Sequence, residues 1–243
     1  MIKKPLLYTT LIAFMALSLS SCYFDGSPMK RIQGEGPLVT KEIDLPRING
    51  LVIRNSADVV LSQGDGQRFT VEAQENIIDN LKTEVSNGVL YVGSRRPVWR
   101  TRPVKIKLRI RDLSEVRISG SGDIVSDNRF TGLDELEVRI SGSGDINLDV
   151  EADNVYGQIG GSGSISLDGE SRTVDFTING SGSIYAFNLE SKRANARISG
   201  SGNIHLYATS QLDARISGSG DIIYRGNPDL DSSISGSGNI RSR

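Results

Sequence analysis

One seven-residue motif recurs seven times in the second half of the sequence and constrains the fold more than any other feature. The motif has the form Ile-x-Gly-Ser-Gly-x-Ile, and its copies begin at Ile118, Ile140, Ile159, Ile178, Ile198, Ile216 and Ile234. Successive copies are 22, 19, 19, 20, 18 and 18 residues apart. This period is too short for two helices per repeat, but it suits one coil of a solenoid. The repeat therefore predicts an all-β fold, a right-handed parallel β-solenoid over residues 113–243 with about 18–22 residues per coil.

The residues around each Gly-Ser-Gly turn alternate between apolar and polar, as a strand with one buried face requires. We expect the isoleucines on either side of the turn to point inward and to stack on those of the next coil, about 4.8 Å away. Glycine permits positive φ and lets the backbones of two coils approach closely. A β-sandwich with the repeats as hairpins is the alternative fold, but seven nearly identical turns favour stacking.

Residues 47–112 show β-like patterns without repetition, and a short helical turn is predicted from Glu75 to Leu81. The segment Val104–Arg111 alternates strictly, which predicts a strand with one buried face and one basic face. An open solenoid end would expose unpaired strand edges. We therefore expect residues 47–112 to cap the first coil or to contribute coils of their own.

The first residues have the features of a bacterial lipoprotein signal. Lys3 and Lys4 precede an apolar run, Leu6–Leu19, that is too short to remain as a membrane span of about 20 residues. The run ends in Leu19-Ser20-Ser21-Cys22, which matches the lipobox that directs acylation of the cysteine. We predict a signal peptide over residues 1–21, lipid attachment at Cys22, and an outer-membrane lipoprotein, periplasmic or surface-exposed. Residues 22–46 are rich in Gly and Pro, which predicts a flexible tether.

Composition excludes several classes of function. Cys22 is the only cysteine, so the chain has neither internal disulfides nor a thiolate metal site. Without residues 1–21 the chain keeps 26 basic and 29 acidic residues, a net charge of −3, which argues against a nucleic-acid partner. We expect neither a cofactor nor a metal. The residue after each glycine turn is Asp in only three of seven repeats, too few for a calcium ladder, and Asp, Asn and Ser all suit turns.

Three segments together resemble a known family. They are Ile53–Leu61 (IRNSADVVL), Asn76–Tyr91 (NIIDNLKTEVSNGVLY) and the ISGSGDI repeats. The chain, from about residue 47 onward, is similar to the family labelled putative auto-transporter adhesin, head GIN domain, which is common among envelope proteins of Bacteroidota. The resemblance implies a right-handed parallel β-helix, and it implies no catalytic residues.

Alternation beyond the glycine turns also predicts an aromatic surface patch. Val125, Asn147, Ser166, Tyr185, His205 and Ile223 should form one outward column, and Asp127, Asp149, Asp168, Phe187, Tyr207 and Arg225 the next. Tyr185, Phe187, His205 and Tyr207 would then cluster on neighbouring coils, with Asp168 at the border. Clustered exposed aromatics commonly mark binding sites, and their flat rings suit the apolar faces of sugars. The alternatives are a bend after the turn that places Phe187 and Tyr207 in the core or under a corner, and self-association of the protein through the patch.

Two charged features allow both a structural and a functional interpretation. A basic run from Arg95 to Arg102 contains Trp99 and continues into the strand ending at Arg111, with eight positive charges and no acid. It is either a solvated loop and strand face or a contact for polyanions, and Trp99 could stack on a sugar or plug the solenoid's end. An acidic and a basic column also precede the repeats, and mutual ion pairing is the simpler interpretation.

These observations predict a non-enzymatic, lipid-anchored binding or adhesion module of the cell envelope. Its expected partners are the membrane, through the anchor, and a glycan or another envelope component. A polysaccharide lyase or hydrolase is one alternative, because many such enzymes are parallel β-helices, and it would require converging carboxylates such as Asp127, Asp149 and Asp168. A passive structural spacer is the other. The sequence leaves the oligomeric state open.

Overall fold

The computed structural model describes residues 31–243. The predicted signal peptide and the acylation site Cys22 lie outside the described residues, so both stay predictions. No helix within residues 31–243 is long and apolar enough to cross a membrane.

The repeat region is built from parallel strands that are interrupted only by the glycine turns. In the middle of the solenoid a single bent strand runs from one turn to the next. The strands are β10 (Glu115–Ile118), β11 (Ile124–Ser126), β12 (Phe130–Ile140), β13 (Ile146–Ile159), β14 (Ser164–Ile178), β15 (Ser183–Ile198), β16 (Ile204–Ile216), β17 (Ile222–Arg225), β18 (Asp229–Ile234) and β19 (Ile240–Ser242). They belong to one 17-stranded sheet that coils around its own core, so the predicted parallel β-solenoid is confirmed.

The two isoleucines of each repeat form the buried ladders that hold the coils together. Ile140 stacks on Ile159, which stacks on Ile178, and on the far side of the turn Ile146 stacks on Ile165. All five side chains are at most 1% exposed. Burial of one such side chain stabilises the fold by about 1.5–3 kcal/mol, so each coil is held mainly by contact with its neighbours.

The glycines of the turns are required by close approach between coils. A Cβ added to Gly142 would lie 1.9 Å from the carbonyl oxygen of Gly120, and one added to Gly161 would lie 2.0 Å from that of Gly142. The predicted close approach is therefore confirmed. The second predicted reason is wrong, because the positive-φ glycines are Gly36, Gly66, Gly88, Gly132, Gly169 and Gly226, and none of them belongs to the repeated turns.

The N-terminal part adds nine shorter strands and one short helix to this architecture. They are β1 (Ile32–Gln33), β2 (Leu38–Glu42), β3 (Gly50–Ile53), β4 (Asp58–Gln63), β5 (Arg68–Gln74), α1 (Glu75–Asn80), β6 (Leu81–Ser86), β7 (Val89–Ser94), β8 (Val98–Arg100) and β9 (Lys105–Ile110). The predicted helical turn is α1. The predicted alternating strand is β9, in which Ile106, Leu108 and Ile110 are buried.

Two further layers stack below the first glycine turn, so the predicted cap also contributes coils. Strands β3 and β4 pair in parallel with β10 and β11, and the connection Ile53–Val59 lies under the first repeat. Asn55 and Ala57 occupy the positions of the two glycines there. Strands β7 and β9 in turn pair with β3 and β4 and form the outermost layer.

The outermost layer is closed by antiparallel strands. Strand β5 pairs with β9, β2 pairs with β5, and β6 pairs with β7. This change of direction ends the stack of parallel coils and covers the edges that another chain could otherwise pair with. The predicted flexible tether over residues 22–46 is accordingly wrong for Leu38–Glu42, because this segment is a strand of the cap.

Candidate functional site

The first outward column after the turn follows the register expected from alternation. Val125 pairs with Asn147, Ser166 with Tyr185, Tyr185 with His205, and His205 with Ile223. The rings of Tyr185 and His205 meet edge to face, with 5.1 Å between their centroids. Tyr185 is 45% exposed, so the column presents an aromatic pair to solvent.

The second outward column departs from simple alternation at Phe187. Asp168 pairs with Asn188, and Tyr207 pairs with Glu190, so Phe187 lies within an irregularity of the ladder. The half-buried Phe187 ring contacts His205, with 4.9 Å between centroids. Tyr207 instead lies over the next coil, where a Cβ on Gly226 would come within 3.1 Å of its ring. The predicted two-by-two cluster is therefore a cluster of three: Tyr185, Phe187 and His205.

Three arginines converge on this cluster from the last two coils. The Cζ atoms of Arg225 and Arg243 lie 4.4 and 5.4 Å from the centroid of the Phe187 ring. Arg241 pairs with Ile223 in the first outward column and lines the same recess. Sequence reasoning found Arg225 by its column but did not assign Arg241 or Arg243 to this surface. Extension of the 18-residue period from Ile223 and Arg225 would have found both.

The site is a small, positively charged recess of about 220 Å³. Within residues 31–243, none of Arg225, Arg241 and Arg243 forms an ion pair with a carboxylate. Partial burial and the nearby positive charges of Arg243 and Arg241 lower the pKa of His205 below its ordinary value of 6.5. The imidazole is therefore mainly neutral at pH 7, and the guanidinium groups carry the charge of the recess.

The charged columns on the face before the turns form ion pairs with each other, in contrast to the arginines of the recess. Arg117 bridges Glu115 and Glu137 at 2.7 and 3.0 Å, and Arg215 pairs with Asp213 at 2.8 Å. Hydrogen bonding to Arg215 lowers the pKa of Asp213 below its ordinary value. The predicted mutual pairing of the two columns is confirmed, and this face offers less unbalanced charge than the recess.

The polar residue after each turn has a structural role. The Asp123 carboxylate accepts the backbone N–H of Asp145 at 2.9 Å, and the Asn203 side-chain oxygen accepts that of Asp221 at 2.9 Å.

In residues 31–243 no group of three or more His, Cys, Asp or Glu side chains is arranged to hold a metal ion. Asp149 is one of the three carboxylates that the enzymatic alternative would require, and it forms an ion pair with Arg129 at 2.7 Å.

The remaining predicted site residues lie at different places on the solenoid. Asp168 is half-exposed and pairs in the ladder with Asn188, the residue that follows Phe187. Trp99 lies in β8, beside the outermost N-terminal layer, and is 66% exposed, so it does not plug the solenoid. Trp99 and the Tyr185–His205 pair therefore belong to two separate surfaces.

The family model described as "Putative auto-transporter adhesin, head GIN domain" matches residues 48–228. No curated protein matches the chain.

Among solved structures, a protein of Parabacteroides distasonis described as a "putative lipid binding protein" is 31% identical. That match covers 88% of this chain and 100% of the other, with a TM-score of 0.75. A "putative adhesin" of Bacteroides fragilis has the same fold at 23% identity and a TM-score of 0.83, with 87% of this chain and 100% of that chain covered. A "putative adhesin" of Parabacteroides merdae is 25% identical, with a TM-score of 0.71 and coverage of 88% and 99%.

Proposed function

Because the chain belongs to the family described as putative auto-transporter adhesin, head GIN domain, we propose that it is a lipid-anchored adhesion module of the bacterial envelope that binds an acidic glycan without catalysis. The observation that carries the ligand class is the gathering of Arg225, Arg241 and Arg243 around Phe187. Elsewhere on the solenoid arginines such as Arg117 and Arg215 are paired with carboxylates.

The chemistry of the recess matches a sugar that carries a carboxylate or a sulfate. A guanidinium group binds such an anion with two parallel hydrogen bonds, and it stacks well on an aromatic face. The guanidinium groups of Arg225 and Arg243 both lie over the Phe187 ring, and an anion bound by both would offset the repulsion between their charges. The exposed ring of Tyr185 then offers a flat surface for the apolar face of a sugar.

The size of the recess favours recognition of part of a polymer. Pockets that engulf a small ligand usually measure about 300–1,000 Å³, whereas this recess measures about 220 Å³. It is small, so it could hold one acidic residue while the rest of a long chain continues over the surface. Binding of several adjacent solenoids to one polymer would multiply a weak single-site affinity, as suits an adhesin.

The proposed experiment compares acidic and neutral polysaccharides as ligands for residues 22–243 carrying Cys22→Ser. We expect binding to polymers of uronic acids or sulfated sugars, at low salt, and much weaker binding to neutral glucans. The double substitution Tyr185→Ser with Phe187→Ser should reduce binding at least tenfold, which corresponds to about 1.4 kcal/mol.

Tyr156→Ser is the matched control, because Tyr156 is 43% exposed, Tyr185 is 45% exposed, and Tyr156 lies on the ion-paired face. An equal loss in the control, or no loss in the double variant, would contradict the assignment of the site. A large fall in the melting temperature of the double variant would show that the two rings serve the fold.

The same polysaccharides test the enzymatic alternative. Release of new reducing ends or of unsaturated uronates would show a hydrolase or a lyase, and the adhesion proposal would then be wrong in its central point. If the protein binds none of the acidic polymers in the panel, the result would instead favour a structural spacer.

A further inference from the structure

A second unsatisfied surface lies at the other end of the solenoid, on the loop that joins β7 to β9. We name residues 95–103, which include β8, the basic loop. In the outermost layer this loop takes the place of a glycine turn and projects outward. It leaves a groove of about 530 Å³ beneath Asn55 and Ala57, which explains why these two positions tolerate side chains where the repeats require glycine.

The basic loop is held in place by two buried amide side chains at the ends of α1. Asn80, 5% exposed, donates to the carbonyl oxygen of Arg96 at 2.9 Å and accepts its backbone N–H at 3.0 Å. Gln74, 6% exposed, accepts the backbone N–H of Arg102 at 3.2 Å and the hydroxyl of Thr101 at 3.2 Å. The loop is therefore a fixed platform, and its charges are presented in a preorganised arrangement.

The platform presents positive charge with little internal compensation. Arg95, Arg96, Arg100 and Arg102 are exposed, and within residues 31–243 none of them pairs with a carboxylate. The Arg95 guanidinium donates to the carbonyl oxygen of Asp79 at 2.8 Å. The Asp58 carboxylate is the one acid that lines the groove within the described chain.

An exposed tryptophan stands among these arginines. Trp99 is 66% exposed, and the guanidinium of Arg31 lies 5.2 Å from the centroid of its ring. The groove behind it has apolar walls that include Ile77, Leu81 and Val98. An amphipathic ring beside fixed cations is the combination that proteins place at the boundary between lipid headgroups and hydrocarbon.

We propose that the basic loop docks on the anionic headgroups of a phospholipid membrane and lays the N-terminal end of the solenoid against the lipid surface. The position of the loop supports this occupant. Arg31 is nine residues from Cys22 in the sequence, a segment that can span at most about 30 Å when fully extended. Acylation of Cys22 belongs to the proposed function, whereas the charge and the tryptophan are independent of it.

Vesicle binding of residues 22–243 with Cys22→Ser tests the proposal, because this protein has no acyl anchor and keeps every described strand. It should sediment with vesicles of phosphatidylcholine that contain 30 mol% phosphatidylglycerol, and it should not sediment with phosphatidylcholine alone. One arginine near an anionic surface contributes about fivefold to the partition coefficient, so Arg96→Gln, Arg100→Gln and Arg102→Gln together should lower it roughly 100-fold.

The matched control removes the same charge from the flank of the repeats, with Arg172→Gln, Lys192→Gln and Arg193→Gln. All three of these side chains are exposed. The control should retain most of the binding. Equal partitioning of the two triple variants would overturn the proposal, because bulk charge and not the basic loop would then drive adsorption.

Trp99 supplies a second readout, because it is the only tryptophan in the chain. Its emission should shift to shorter wavelength with the anionic vesicles, and about 1 M salt should reverse the shift by screening the charges. An unchanged emission on bound vesicles would overturn the proposed orientation.

Two further outcomes separate this proposal from the one for the glycan recess. The double variant Tyr185→Ser with Phe187→Ser should bind vesicles normally, whatever its effect on polysaccharides. If the basic-loop variant loses binding to a soluble acidic polysaccharide, while the parent protein ignores anionic vesicles, the loop is a glycan site and membrane docking is refuted.

Discussion

The glycines of the repeated turns are required because the backbones of two coils are in contact there, and not because of an unusual φ angle. Their carbonyl groups continue the hydrogen-bonded ladder through the turn: the backbone N–H of Ser143 donates to Gly120 at 3.0 Å, and that of Ser162 donates to Gly142 at 3.1 Å. The direction in which a Cβ would point is occupied by the preceding coil. Any side chain at these positions must therefore separate two coils.

Replacement of Gly142 should consequently be costly even with alanine. Gly142→Ala introduces the Cβ that would meet Gly120 O at 1.9 Å, and Gly142→Val adds two methyl groups. We expect each to reduce the free energy of unfolding by at least about 1–3 kcal/mol, as overpacking typically does. The exposed Ser143 is the control, and Ser143→Ala should change stability by less than about 0.5 kcal/mol. Urea denaturation measures all three, and similar midpoints would contradict the requirement for close contact.

The charge state of His205 gives a prediction about pH. Burial and two arginines lower the pKa of His205 in the folded protein, so the unfolded chain binds more protons than the folded one as the pH falls through about 6.5. Stability should therefore decrease between pH 7.5 and the lowered folded-state pKa, and His205→Phe should remove that part of the decrease. Because His205 is the only histidine, NMR can follow its titration without assignment. A titration at or above 6.5 would contradict the prediction.

At the scale of the structural element, the polar residue after each turn extends the ladder where the strand is interrupted. Its side-chain oxygen replaces a carbonyl oxygen as acceptor for the next coil. Within the repeats such bonds join Asp123 to Asp145, Asp145 to Ser164, Ser183 to Asn203, Asn203 to Asp221, and Asp221 to Asn239. Asp, Asn and Ser share this one ability, which explains why they alternate freely at the position.

Removal of one acceptor from this column should have a measurable cost. Asn203→Ala leaves the N–H of Asp221 without its partner, and we expect the free energy of unfolding to fall by about 1 kcal/mol. Asn203→Ser keeps an oxygen, as Ser183 does in the previous coil, and should retain much of that stability. Chemical denaturation of the two variants is the measurement. Equal losses would show that the side-chain oxygen contributes nothing to the turn.

The irregularity at Phe187 is also a property of the element. The coil that follows Ile184 is 20 residues long, and the next is 18, so strand β15 must accommodate extra residues between Ala186 and Glu190. The extra residues release Phe187 from the ladder. Its ring can therefore turn towards His205 and receive the stacked guanidinium groups of Arg225 and Arg243.

At the scale of the whole molecule, the solenoid separates two surfaces of different chemistry. The basic loop lies at the outermost N-terminal layer, and the aromatic recess lies on the last coils. Nine layers, about 4.8 Å apart, make a column roughly 40 Å long between the two ends. A lipid anchor at Cys22, nine residues before Arg31, would place the recess away from the membrane, as the proposed adhesion function requires.

The predicted acylation of Cys22 is testable in cells. Cys22→Ser should leave an unprocessed precursor or release the protein from the membrane fraction, because a single small hydroxyl cannot replace the buried acyl chains. Membranes should be washed with about 1 M salt, which removes protein held only by the charges of the basic loop. A serine variant that fractionates and migrates like the parent after this wash would exclude the lipoprotein assignment.

The sequence by itself determined the coil and its register. Apolar residues occupy every second position around a Gly-Ser-Gly turn that is the same in all seven repeats, and only one register stacks these strands with their apolar faces together. The isoleucine ladders and the column from Val125 to His205 were therefore predictable. Residues 47–112 were expected to cap the solenoid or to add coils, but the layer at Ile53–Val59 was not located, because Asn55 and Ala57 replace the two glycines that made the other turns recognisable. Side chains are permitted at Asn55 and Ala57 because these two residues line a groove, whereas the glycines of the repeats face the backbone of the preceding coil.

The tertiary structure alone decided which side chains meet where the regular stacking of the coils is interrupted. The gathering of Arg225, Arg241 and Arg243 on Phe187 depends on a coil that is longer than its successor, and alternation cannot position residues beyond such an irregularity. The hydrogen bonds from Gln74 and Asn80 to the basic loop join segments that lie outside the repeats, so the repeat period could not predict them. Periodicity describes the repeated layers, where each coil contacts a copy of itself, whereas both candidate surfaces arise where that repetition is broken.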